Sequence, residues 1–206
     1  MDMNKIELPL EVQKRCRDYA GLIVRDYASG WNSRSRSVSS HDAESNIELQ
    51  ELARMAECAF CVWLGQSVEG LNWSRHCDSG YDTATEMGRA DVKHTKGGRY
   101  LIWPIRKNHL FETKQFDVLV LVVGGPDVFE VAGWIPKEGF WQRHEIASEG
   151  HKLFPGTWFM DRKNLWPVLK PCDWYDAAKD VSGSFDEAYR AVRERMASGG
   201  PGWEPK

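Results

Sequence analysis

The run VLVLVV at positions 118 to 123 is apolar without interruption. Successive side chains of a strand point to opposite faces, so a run with no polar residue must be covered on both sides. It predicts a central strand with one layer of structure above it and another below. A helix needs about 20 apolar residues to cross a bilayer, and this run is far shorter. The N-terminus also lacks a positive-then-apolar signal pattern, so a cytoplasmic protein without a membrane contact is expected.

Other segments supply the layers. Residues 10 to 28 have the spacing of an amphipathic helix that ends before Gly30. In IELQELARMAECAFCVWLG, from 47 to 65, Leu49, Leu52, Ala53, Ala56, Phe60, Trp63 and Leu64 recur at helical spacing, with Asn46 as N-cap and Gly65 as stop. At about 100° per residue Glu57 falls at the border of that apolar arc, where an acid is costly unless paired. Strands are expected at 81–86, 89–95, 98–104 and 128–135, with 105–116 as the crossover into the apolar strand. Further on, GTWFMD at 156 to 161 reads as a strand and FDEAYRAVRERMA at 185 to 197 as a terminal helix, before an unstructured tail.

At 206 residues the chain fits a single domain, 1–206. Its core would span 47–135, preceded by a helix and a Ser/Arg-rich loop in 1–46 and followed by an elaboration in 136–206. The net charge of -3 offers no global attraction to a polyanion, so nucleic-acid binding would need a local cluster of Lys and Arg. Candidates for phosphate contacts are Arg34 and Arg36 in the Ser/Arg-rich loop, and Lys96, Arg99, Arg106 and Lys107 around the expected strand 98–104. Five cysteines are an odd set, expected to be reduced. Cys58 and Cys61 have C-x-x-C spacing but lie in a helical pattern without a second pair, so they are expected to be small buried residues.

The chemistry concentrates in YDTATEMGRADVKHT, residues 81 to 95. Alternation puts Asp91 and Lys93 on one face of the second strand and His94 on the other, where packing is its expected role. If 81–86 and 89–95 pair as a hairpin, Asp82 comes to the same end of the sheet as Asp91. Two carboxylates held close repel unless a cation neutralises them, and oxygen ligands suit Mg²⁺ or Mn²⁺. On spacing alone, an exposed Asp91–Lys93 ion pair with a turn acid at Asp82 is the more frequent meaning of such a pattern.

The order of elements adds to this. A helix bearing a boundary glutamate (AECAFCVWLG), then YD, then DVKHT, then FDVLVLV and FEVAGWI, resembles the PD-(D/E)XK nuclease family in its phage and bacterial members. The resemblance covers residues 47 to about 135. It implies an α/β, restriction-endonuclease-like αβββαβ core, with a central mixed sheet flanked by helices and with N- and C-terminal helical extensions. It also implies a divalent-metal-dependent nuclease, an endonuclease hydrolysing DNA, with Mg²⁺ or Mn²⁺ as cofactor. Asp82, Asp91 and the backbone carbonyl of Val92 would be metal ligands, Lys93 the catalytic lysine, and Glu57 an accessory acid and further metal ligand. Tyr81 stands where the family name has proline, and Glu86 and Asp78 are rivals to Asp82. A homodimer would suit cleavage of two strands, and a nicking monomer is equally compatible. An RNA-cleaving enzyme and a non-catalytic nucleic-acid- or protein-binding module on the same fold are the alternatives.

Overall fold

The computed structural model describes residues 5–28, 43–71, 73, 80–85 and 88–166. The expected helix at 185–197, the Ser/Arg-rich loop with Arg34 and Arg36, and the acids Asp78 and Glu86 lie outside them.

A five-stranded sheet runs in the order β1-β6-β5-β3-β2, from β1 (Lys5–Ile6), β6 (Phe129–Pro136), β5 (Val118–Gly124), β3 (Gly88–Thr95) and β2 (Thr83–Thr85). It is mixed. β3 and β5 are parallel, with Asp91 opposite Leu119 and Lys93 opposite Leu121, and the other pairs are antiparallel. The apolar run is the middle strand, as its composition requires. Val118, Val120 and Val122 face one core, and Leu119, Leu121 and Val123 face another.

Helix α2 (Ala43–Trp63) covers the first face, placing Leu52, Met55, Ala59 and Phe60 against Val92, Val120 and Val131. It starts before Asn46, which is a helix residue and not the cap. Its end is as expected: Gly65 takes φ 70°, Gly65 N–H bonds to Val62 O and Gln66 N–H to Cys61 O. This is a Schellman stop, which needs a left-handed residue and so favours glycine. Helix α1 (Leu10–Ala28), with the expected bounds, packs on α2. Cys16, Cys58 and Cys61 are buried free thiols in this layer.

The second face has a cover that the sequence pattern did not predict. Strand β4 (Tyr100–Trp103), expected in the core sheet, instead pairs with β8 (Trp158–Asp161), which pairs with β7 (Glu145–Ile146). This small sheet and helix α3 (Lys137–Arg143) bring Leu101, Trp103, Met160 and Phe140 onto Leu119 and Leu121. The physical reason is the second apolar face of β5: without β4 and its partners those leucines would meet water. The crossover 105–116 holds only a 3₁₀ turn, Ile105–Leu110. A bulge matches β6 to both cores. Leu121 pairs with Gly133 but Val122 with Val131, so Ala132 is the extra residue and side-chain parity reverses along the strand.

The architecture is therefore mixed α/β, with a curled mixed sheet between helices and a smaller sheet. No helix among the described residues is long and apolar enough to cross a membrane.

Gly124 ends β5 with φ 116°, and a Cβ added there would stand 2.3 Å from the carbonyl oxygen of Val128. Gly124→Ala should therefore destabilise the protein by about 1–3 kcal/mol in urea unfolding. Gly97→Ala, where nothing lies within 4 Å, should change stability by less than about 0.5 kcal/mol.

Candidate active site

β3 carries two of the expected residues on the face turned away from α2. Asp91 is 1% exposed, and burying a carboxylate there is tolerable only if both oxygens are satisfied. Lys93 pairs with Oδ2, and Lys114 lies 2.7 Å from Oδ1. Both ammoniums stand over the indole of Trp103, a further attraction for a desolvated cation. Burial works to raise the Asp91 pKa, but Lys93 and Lys114 outweigh it and hold the group below the ordinary carboxylate value.

Asp82 immediately precedes β2, and the hairpin pairs as expected, Thr83 with Ala90 and Thr85 with Gly88. The Asp82 N–H donates to Ala90 O at 2.8 Å, while its carboxylate accepts the Val92 N–H at 2.6 Å. The side chain thus takes the place of a continuing backbone partner, and strand pairing between β2 and β3 gives way to a carboxylate at the sheet edge. The contact of Val92 with this site is made through its N–H, whereas the sequence resemblance offered its carbonyl.

Glu57 reaches the same edge from α2. It is paired with Arg54, one turn earlier, whose guanidinium lies 4.3 Å from the Tyr19 ring centroid and 4.8 Å from that of Trp73. Burial and then the charge of Asp82 push the Glu57 pKa well up, with Asp91 adding and Arg54 and Lys93 opposing. Asp82 is pushed up to about 6, first by burial and next by Asp91, against Lys93, the Val92 N–H and Lys114. Asp82, Asp91 and Lys93 therefore lie close enough for their charges to act on Glu57, and Asp91 and Lys93 close enough to act on Asp82.

Three of the residues expected to contact phosphate have described side chains. Lys96 is paired with Glu48, and Arg99 lies 3.6 Å from Asp161. Lys107 is exposed in the 3₁₀ turn, which also contains the backbone of Arg106. His94 has the packing role that alternation gave it: its Nε2 bonds to Gly124 O at 3.0 Å, its ring meets Phe129 edge-on, and burial lowers its pKa. Lys114 and Arg54 were missed. Arg54 was legible as an i,i+3 partner of Glu57, but nothing in ETKQFD marks Lys114, which only the crossover's path brings to Asp91.

Compared with protein-family models, curated proteins and solved structures, the chain matches none. Among the described residues, no three His, Cys, Asp or Glu side chains form a ready-made metal cage. A hard cation such as Mg²⁺ takes one or two carboxylates and completes its shell with water and phosphate oxygens. The carboxylates that would have to serve are Asp82, bonded to the Val92 N–H, and Asp91, next to Val92 in the chain and paired with Lys93 and Lys114.

The Asp82 shift has a sign that can be measured. Its folded pKa of about 6 exceeds the ordinary 3.8, so its favourable contribution is complete below pH 3.8 and is lost as pH rises through 6. In chelator, Asp82→Asn should match the wild type in urea unfolding near pH 4. It should become the more stable of the two between pH 4 and 6 and keep that advantage at pH 8.

Proposed function

We propose that the chain is a divalent-metal-dependent nuclease of the PD-(D/E)XK kind, acting in the cytoplasm as an endonuclease on DNA. The observation that supports this reading is the electrostatic coupling of Glu57, Asp82, Asp91 and Lys93 at one edge of β3, in the chain order of that family. Asp82 and Asp91 would hold Mg²⁺ or Mn²⁺, which supplies Lewis-acid polarisation of the phosphodiester and a water of lowered pKa.

The remaining work falls to the chain's own residues. Lys93, 16% exposed beside Asp91, is placed to donate to a phosphoryl oxygen where negative charge grows in the transition state. Glu57, held by Arg54, would accept a hydrogen bond from the attacking water. The Val92 N–H fixes Asp82, so that ligand geometry is set before substrate arrives.

A second reading has its own observation. Both oxygens of Asp91 are occupied by ammoniums, which suits a non-catalytic nucleic-acid- or protein-binding module that keeps the acids as structural counter-ions.

Incubation with supercoiled, linear and single-stranded DNA, and with RNA, in Mg²⁺ or Mn²⁺ separates the readings. The nuclease reading expects chelator-sensitive cleavage of DNA that falls about a hundredfold or more in Asp91→Ala and in Lys93→Ala. Absence of cleavage, or cleavage indifferent to both substitutions, would sink it. Cleavage confined to RNA would change the substrate and keep the chemistry.

A further inference from the structure

The seam between α1 and α2 holds reactive groups that the proposed active site does not use. Cys16 of α1 and Cys58 of α2 are both 0% exposed, and their sulfurs lie 3.6 Å apart in a thiol–thiol hydrogen bond. A disulfide needs about 2.05 Å, so a closure of about 1.5 Å joins them, shared between two side-chain rotations and a small approach of the helices. Cys61 follows one turn after Cys58, but its thiol is hydrogen-bonded to the Thr83 side chain of β2. The pair across the seam is also unequal. The hydrogen bond from Cys58 holds the Cys16 thiol below its ordinary pKa; burial opposes this, and the guanidiniums of Arg54 and Arg15 assist. Cys58 is pushed up by that same hydrogen bond and then by burial. Cys16 is therefore the sulfur set to react as a thiolate, and Cys58 the one that keeps its proton.

We infer that Cys16 and Cys58 form a redox site: hydrogen peroxide oxidises them to a disulfide that ties α1 to α2 in the arrangement the helices already have. The Cys16 sulfur attacks one peroxide oxygen and the O–O bond breaks, giving a sulfenic acid and, with the thiol's proton, one water. The Cys58 sulfur then attacks the Cys16 sulfur, the S–O bond breaks, and a second water leaves with the Cys58 proton. Peroxide gains the two electrons that the two thiols lose. The oxidant is little larger than water, and its way in is local opening of α1, a helix that has Gly21 in its interior and packs chiefly on α2. The link would add to the Arg17–Glu51 pair and to the Arg54–Tyr19 contact across the same seam, and so fasten the stretch of α2 that carries Arg54 and Glu57. A nuclease and a binding module would carry this site alike, so it does not depend on the nuclease reading.

The test uses the full chain, reduced, desalted and exposed to hydrogen peroxide while folded, with remaining thiols alkylated before peptide mapping by mass spectrometry. A linked pair of peptides containing Cys16 and Cys58 is expected, and dithiothreitol should separate it. The two cysteines are 42 positions apart, and closing a loop of that size constrains the unfolded chain, so oxidation should raise the thermal unfolding midpoint by about 5 °C or more. Cys16→Ala and Cys58→Ala should form no such link and show no rise in peroxide. Recovery of both cysteines as free thiols or as sulfinic acids, a link from Cys58 to Cys61, or an unmoved or lowered midpoint in linked protein would overturn the inference. Should either variant fail to fold by circular dichroism, the wild type decides alone, because the identity of the linked peptides and the sign of the midpoint shift need no substitution.

Discussion

Both cores of this protein hang on one strand. β5 has apolar side chains on each face, and the free energy of removing them from water requires two covers. Helices α1 and α2 supply one, and the small sheet β4-β8-β7 with α3 supplies the other. β3 lies beside β5 in parallel register, so its own side chains inherit the same two environments. Val92 goes to the helix core, while Asp91 and Lys93 go to the other side, at the margin of the aromatic cluster around Trp103.

That placement forces the charges to organise. A nearly inaccessible carboxylate cannot stand alone in such a setting, and Asp91 takes Lys93 from its own strand and Lys114 from the crossover. On the other side of the edge, Glu57 takes Arg54, itself flanked by Tyr19 of α1 and by Trp73. Three acids and three cations then balance, with Asp82 between the two groups and bonded to Val92 N–H. The balance is local and uneven: cations dominate around Asp91, while acids dominate between Glu57 and Asp82.

Much of this could be read in the sequence because it is local. The apolar run fixed the central strand, helical spacing fixed α1 and α2, and Gly65 marked a stop that its positive φ explains. Alternation along DVKHT put Asp91 and Lys93 on one face and His94 on the other. The start of α2 was misjudged because Asn46 is as acceptable inside a helix, at a modest cost, as at its cap. β4 was assigned to the wrong sheet because a short apolar strand has the same pattern whichever sheet receives it.

Sequence alone therefore determined which segments are strands and helices, which residues share a face, and that acids and a lysine meet on one hairpin. Periodicity contains that information, since it depends on backbone geometry over a few residues. Only the tertiary structure decided that Lys114 and Arg54 complete the cluster, that Asp82 replaces a backbone partner of β3, and that two sheets rather than one enclose the second core. Those outcomes depend on the path of the crossover and on which surfaces of β5 and β3 still had to be covered, quantities set by packing among residues far apart in the chain.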